Sequence, residues 1–220
     1  MNFTKISKHI YKLSMNIDLG IPALINTWFI LKGSDVYIID TGMENYSELQ
    51  IKIAKQLGNP KAIILTHGHH DHINGAHSLK ENLNIPIYAH ANELPYINGE
   101  IPYPYNDKTE DTGVSYQVKA LEEFNHMLPI DLYLTPGHSP GHIVIHHNED
   151  DILICGDLFI SQMFTLHPPI KKFTYDMNKN IKSGSIIDEL QPKLITTSHG
   201  HDINYNKDIY PIYKFSYEDI

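Results

Sequence analysis

The stretch LTHGHHDHI at Leu65–Ile73 sets His67, His69, Asp71 and His72 in the pattern H-x-H-x-D-H, with His70 inside it. Just before it, and overlapping it, Ala62–Thr66 is a short β-branched run of the kind that forms a buried strand. Residues two apart point to different faces of a helix, whereas at a strand end or in its loop both can converge on one ion. The spacing therefore asks for a strand that stops at the histidines, with Gly68 allowing a close turn between His67 and His69. Asp71 and His72 then fall on the first turn of a following helix, where they can face a second ion beside the first. Two pairs of ligand-type residues suggest two metals.

Hydrophobic periodicity places this stretch in a layered α/β chain. Asn26–Asp40 carries two β-rich runs around LKGSD, a hairpin signal, and ends in the turn sequence DTG. Tyr46–Leu57 repeats apolar residues at Leu49, Ile53, Ala54 and Leu57, which predicts an amphipathic helix stopped by Gly58–Pro60. A helix over Ile73–Asn82 and a strand over Ile85–Ala89 follow. Strands are further expected at Asp131–Thr135, His142–His147, Asp151–Cys155 and Lys193–Ser198, with a helix over Asn180–Leu190. Glu93–Ser115 and Ser161–Met177 show neither period and read as long irregular insertions, which in compact domains are often functional.

Ligand-type residues recur at strand ends, where α/β enzymes build their sites. His138 lies in TPGHSPGH after one predicted strand, Asp157 in CGD after another, and His199 in TSHGH after a third. With DTG at Asp40–Gly42, THGHHDH at Thr66–His72, PGHSPGH at Pro136–His142, GD at Gly156–Asp157 and SHG at Ser198–Gly200, the chain resembles the metallo-β-lactamase superfamily. The pieces occur in that family's order and cover nearly the whole length.

The resemblance implies an αββα sandwich of the α/β (α+β) class, two mixed sheets flanked by helices, over a single domain of residues 1–220. It implies that His67, His69 and His138 hold a first metal, that Asp71, His72 and His199 hold a second, and that Asp157 bridges them. Two zinc ions are the first choice; the same nitrogen and oxygen ligands accept iron, manganese or cobalt. The implied chemistry is a metal-bridging hydroxide attacking the carbonyl of a small ester, lactone or thioester. Asp71 would ligate and orient the hydroxide or relay its proton, a catalytic role. Asp40 either anchors a ligand imidazole or caps its turn. His142 reads as a packing or supporting residue, and His201 as a proton donor or a surface residue.

Details narrow the branch. Asp157 stands where thiolate-bearing lactamases place a cysteine, and Cys155 reads as a small buried apolar residue. His69 stands where the diiron oxygen-reducing branch usually has a glutamate. Ile160 stands where many signal-lactone hydrolases carry a tyrosine. GDLF at Gly156–Phe159 is close to a glyoxalase II run, without matching basic residues for glutathione carboxylates. A mononuclear iron persulfide dioxygenase, a β-lactam hydrolase and a phosphodiester hydrolase remain as alternatives. Tyr96, Tyr103, Tyr105, Met163, Phe164 and Tyr175 either wall an apolar substrate pocket or pack on the sandwich.

Composition removes other classes. A net charge of -9 with scattered lysines argues against a nucleic-acid partner. No run of about 18 apolar residues predicts a membrane span. An N-terminus too polar for a secretory signal, with a single cysteine, gives a cytoplasmic expectation. The expected partner is a small-molecule substrate.

Overall fold

The computed structural model describes residues 1–18, 22–104, 106–125 and 128–217. The first half builds β1 (Asn2–Lys5), β2 (Ile10–Asp18), β3 (Pro22–Lys32), β4 (Asp35–Ile39), α1 (Ser47–Leu57), β5 (Asn59–Ile64), α2 (His70–Ile73), α3 (Ala76–Leu83), β6 (Ile87–Ala89), α4 (Leu94–Ile97) and β7 (Val118–Ala120). The second half builds β8 (Ile130–Leu134), β9 (Ile143–His147), β10 (Ile152–Ile154), β11 (Ile160–Gln162), β12 (Thr165–His167), α5 (Met177–Ser183), α6 (Ile186–Leu190), β13 (Leu194–Thr196), β14 (His199–Gly200), β15 (Ile203–Asn204) and α7 (Ile209–Tyr217).

β1 to β7 form one sheet in chain order, antiparallel as far as β4 and parallel from β4 to β7. A second sheet runs β15-β13-β10-β9-β8, and β12-β11-β14 make a small third one. The layering follows from the two-residue period of a strand. In β4, Val36 and Ile38 face a core shared with Ile53 and Ala54 of α1 and Leu79 of α3. Tyr37 and Ile39 point the other way, into a core shared with Ile143 and Ile145 of β9 and Ile152 and Ile154 of β10. The alternate residues of those strands, Val144 and Leu153, meet Ile187 of α6 and Tyr213 of α7. Both faces of both sheets are apolar, so helices must cover the outer ones, and the result is an αββα sandwich. Each isoleucine so buried contributes about 1.5–3 kcal/mol.

Polar stitches fix one end of this stack. Trp28 Nε1 donates to Thr196 Oγ1 at 3.1 Å, and Asn26 Nδ2 donates to the Thr197 carbonyl at 2.8 Å. These bonds tie the first sheet to the segment that carries His199.

The hairpin of Asn26–Asp40, the helix ending at Gly58 and the irregular Glu93–Ser115 segment, whose described residues hold the single turn α4, agree with the sequence reading. Two expectations are corrected. Ser161–Met177 is not irregular throughout: β11 and β12 pair as a hairpin turned at Met163, whose φ is +54°. Met-Phe is not the usual Asn-Gly pair for such a turn, and three-residue strands are too short to show a period. Asn180–Leu190 is two helices: α5 starts earlier, its first turn capped by the Asp176 carboxylate accepting from Lys179 N at 2.9 Å, and it ends at Gly184 before α6 begins. β1, β2, β7, β11, β12, β14, β15 and α7 were not anticipated.

Candidate metal centre

Strand ends bring the predicted residues together. His67 and His69 leave the end of β5, Asp71 and His72 occupy α2, and His138 lies between β8 and β9. Asp157 follows β10 and His199 follows β13. β5 lies beside β4 in the first sheet and β10 beside β13 in the second, each pair parallel, so their C-terminal ends open on a common edge. His67 is central: its ring centroid is 4.5 Å from that of His69, 4.0 Å from His72 and 4.8 Å from His138. His67, His72 and His138 are almost fully buried, as is Asp157 at 6% exposure.

Four of the imidazoles, those of His67, His72, His138 and His199, are each held by one nitrogen. His72 Nδ1 donates to Asp40 Oδ2 at 2.9 Å, and His199 Nδ1 donates to the Leu24 carbonyl at 2.7 Å. Thr66 spends its hydroxyl proton on Asp40 Oδ2 at 2.7 Å, so its Oγ1 accepts from His67 Nδ1 at 3.1 Å. Thr174 does the same for His138: its hydroxyl donates to the Ile170 carbonyl at 3.0 Å and accepts from His138 Nδ1 at 3.3 Å. With Nδ1 protonated, the lone pair is on Nε2, the nitrogen that faces inward.

The inward atoms converge on two carboxylates. His72 Nε2 lies 3.3 Å from Asp157 Oδ1, and His138 Nε2 lies 3.3 Å from Asp157 Oδ2. His199 Nε2 lies 3.4 Å from Asp157 Oδ2 and 3.2 Å from Asp71 Oδ2. His67 Nε2, His72 Nε2, His138 Nε2 and Asp157 Oδ1 are buried without a hydrogen bond. Buried polar atoms are nearly always paired, so a cluster of such orphans calls for a partner of another kind. Ligand atoms at about 2.0–2.2 Å from one tetrahedral ion stand roughly 3.4 Å apart. The residues present fit a metal centre. Ligand atoms of His67, His69 and His138, of His67, His72 and Asp157, and of Asp71, His72 and His199 each gather within 4.8 Å of one another.

Electrostatics divides the histidines. Burial, with neighbouring imidazoles, pushes His67 and His138 far below the ordinary value, and burial takes His69 down to about 4. These rings stay neutral, as metal ligation requires. Burial also opposes charge on His72 and His199, but the surrounding carboxylates outweigh it. Asp157, Asp71 and Asp40 raise His72, and Asp157 and Asp71 raise His199 to about 10. In return both imidazoles hold Asp71 and Asp157 well below the carboxylate range despite burial.

Supporting residues resolve as follows. Asp40 is fully buried at φ +56°, and its other oxygen accepts from Thr66 N at 2.7 Å; it anchors the His72 imidazole. His142 Nε2 accepts from Asp157 N at 3.0 Å and its Nδ1 bonds Thr135 Oγ1 at 2.9 Å, so it orients Asp157. His201 is exposed. Cys155 is fully buried, and burial raises its thiol far above the ordinary value, as suits an apolar role.

Of the aromatic residues, Tyr103 packs edge-on against His69 with centroids 4.7 Å apart, and Tyr96 stacks on Tyr103 at 4.8 Å. Tyr175 N bonds the His138 carbonyl at 3.1 Å. Met163 and Phe164 are exposed at the hairpin tip, and Phe164 lines a hollow with α7 residues that includes none of the metal-centre residues. Tyr105 lies outside the described residues. Sequence reasoning missed Thr174, the Leu24 carbonyl and Glu93. None carries a signal of its own: Glu93 stands four positions past the predicted strand Ile85–Ala89 and reads locally as a helix-start residue.

Relatives identify the family. The sequence profile of the metallo-beta-lactamase superfamily matches residues 20–201. "Probable metallo-hydrolase YybB" of Bacillus subtilis is 50% identical over 220 residues, 100% of both chains. A hydroxyacylglutathione hydrolase of Pseudomonas fluorescens is 34% identical over 96 residues, covering 43% of this chain and 31% of that one. A metallo-beta-lactamase from Hirschia baltica shares the fold with a TM-score of 0.72 at 16% identity, over 97% of this chain and 96% of that structure. The chain belongs to the metallo-beta-lactamase superfamily and is of its metallo-hydrolase kind.

Proposed function

We propose that residues 1–220 act as one cytoplasmic domain, a binuclear metallohydrolase that cleaves a small ester, lactone or thioester. His67, His69 and His138 would hold one ion and Asp71, His72 and His199 the other, with Asp157 between them. Zinc is the metal this donor set suits first. The observation that carries the reading is the convergence of inward Nε2 atoms on Asp157 and Asp71 while the outward nitrogens are tethered. Bound divalent ions would supply Lewis acidity and a water acidified towards neutral pH.

The protein's own groups set the rest. Asp157 is fixed through its backbone by His142, so its two oxygens meet His138 on one side and His72 on the other. Asp71 is the more exposed of the two carboxylates, with one oxygen 3.2 Å from His199 Nε2 and the other toward His72, so it stands where it would ligate an ion and orient a water or relay its proton. Tyr103 and Tyr96 form an apolar wall beside His69 that excludes water from one side. The GDLF run and the partial match to a hydroxyacylglutathione hydrolase favour an acyl ester or thioester among the candidates.

The mononuclear iron dioxygenase reading is less favoured because Asp71, His72 and His199 make a complete second donor set. Elemental analysis of protein purified without added metal tests this, followed by an ester, lactone, thioester and β-lactam panel. About two zinc per chain with hydrolysis of an acyl substrate is the expected result. One iron with oxygen uptake would move the chain to the dioxygenases, and failure to bind metal under any loading would overturn the reading.

A further inference from the structure

Glu93 lies outside the donor set, yet it is fully buried just before α4, and each of its oxygens takes one amide and one hydroxyl. Oε2 accepts from Gly68 N at 3.0 Å and from Tyr103 Oη at 2.7 Å. Oε1 accepts from Gly141 N at 2.6 Å and from Ser139 Oγ at 2.5 Å. A buried carboxylate without a cationic partner costs several kcal/mol unless hydrogen bonds offset it, so a saturated set of four donors marks a position where the charge is used.

What the four donors belong to gives the use. Gly68 lies between His67 and His69 on the loop from the first sheet, and Ser139 and Gly141 follow His138 on the loop from the second. Those two loops supply all three imidazoles of the first donor set. Tyr103, the remaining donor, presses its ring on His69. The approach is too close for any side chain at the two glycines. A Cβ on Gly68 would collide with Tyr103 Oη, and one on Gly141 would meet Glu93 Cγ at 2.9 Å.

We propose that Glu93 is a positioning residue that clamps the His67–His69 loop to the His138 loop and so pre-forms the first metal site. This rests on the binuclear reading above. Outer partners that orient ligands typically govern metal affinity by about 10–100-fold.

The test is competitive titration of metal-free protein with zinc against a chromophoric chelator, and with cobalt(II) read by its visible absorption. Wild type should show two binding steps, and His138→Ala identifies the step that belongs to the first site. Glu93→Ala should weaken that step by about 10–100-fold and alter its cobalt band, with the Asp71/His72/His199 step unchanged. Glu93→Gln, which keeps the shape but turns an amide N–H toward one donor pair, should show a smaller loss at the same step, and it decides the matter if Glu93→Ala does not fold. Wild-type affinity in both variants, or equal loss at both steps, would overturn the clamp while leaving the binuclear reading intact. A wild type that binds no metal would overturn both.

Discussion

The chain holds a second cluster of the same residue types, and the contrast with the first is instructive. Ligand atoms of His9, His147 and Asp150 also gather within 4.8 Å. Here, however, Asp150 Oδ2 accepts from Ser7 Oγ and from His9 N at 2.9 Å, and Oδ1 meets His9 Nδ1 at 3.0 Å. His147 Nδ1 accepts from Asp150 N at 3.2 Å. The facing atoms are already paired with one another, and the cluster ties the β1–β2 turn to the β9–β10 hairpin. His147 Nε2 is the single orphan, whereas in the candidate metal centre the orphans are several and share a point of aim. Residue type and proximity do not distinguish a metal centre from a hydrogen-bonded junction; the occupation of each histidine's two nitrogens does.

The sharpest way to break this contrast is to remove the shared carboxylate. Asp157→Ala should lower kcat/KM by about a thousandfold, some 4 kcal/mol of transition-state stabilisation, and reduce bound metal by elemental analysis. Retained metal with full turnover would place the chemistry elsewhere.

A second effect appears only without metal. His69, at about 4, stays neutral when folded, while the unfolded ring titrates near 6.5, so the unfolded chain gains protons first and stability falls as pH drops from 7 to 4. His199 runs the other way: its folded value of about 10 gives stabilisation that is complete below 6.5 and is lost as pH rises through 10. Metal-free protein should therefore melt highest near neutral pH and lose stability on both sides. Bound metal takes the place of the protons on His72 and His199, so the loaded protein should lack the alkaline limb. Calorimetry across pH 5–10 with and without chelator checks this, and identical profiles would contradict the assigned charge states.

A smaller loss is expected from the outward tether. Asp40→Asn keeps the shape but weakens the bond to His72 Nδ1, and should reduce affinity at the Asp71/His72/His199 step by about 10–100-fold in the same chelator competition. A smaller weakening at the His138-dependent step should accompany it, because Asp40 also takes the Thr66 proton and frees Thr66 Oγ1 for His67 Nδ1; loss confined to the His138-dependent step would contradict the His72 tether.

How much of this was legible in the sequence depends on distance along the chain. His67, His69, Asp71 and His72 declare themselves because one strand end and one helical turn hold them all, and β4, β5, β9 and β10 declare themselves by apolar residues on both faces. The tethers do not. Leu24 O serves His199 across 175 positions, and Thr174 serves His138 across 36, bonds that any carbonyl or hydroxyl could make and that only the assembled sheets bring into range. Glu93 was hidden for the same reason, since its charge reads locally as a helix-start residue. The β11–β12 hairpin was invisible because its turn uses Met163 and Phe164, which carry no turn signal.

The smallest expected effect comes from the junction, and it tests the contrast from the other side. Asp150→Ala removes the acceptor of Ser7 Oγ, His9 N and His9 Nδ1 at once, leaving those donors to find water or go unpaired. The loss should be about 1–2 kcal/mol of stability, the usual cost of a broken, partly buried polar network. Metal content and kcat/KM should stay at wild-type values, because no atom of the junction bonds to a strand-end histidine of the candidate metal centre. If His9, His147 and Asp150 held an ion instead, Asp150→Ala would lower the metal count by one per chain. The two readings give opposite answers in a single elemental analysis, with the melting temperature confirming that the substituted protein is folded.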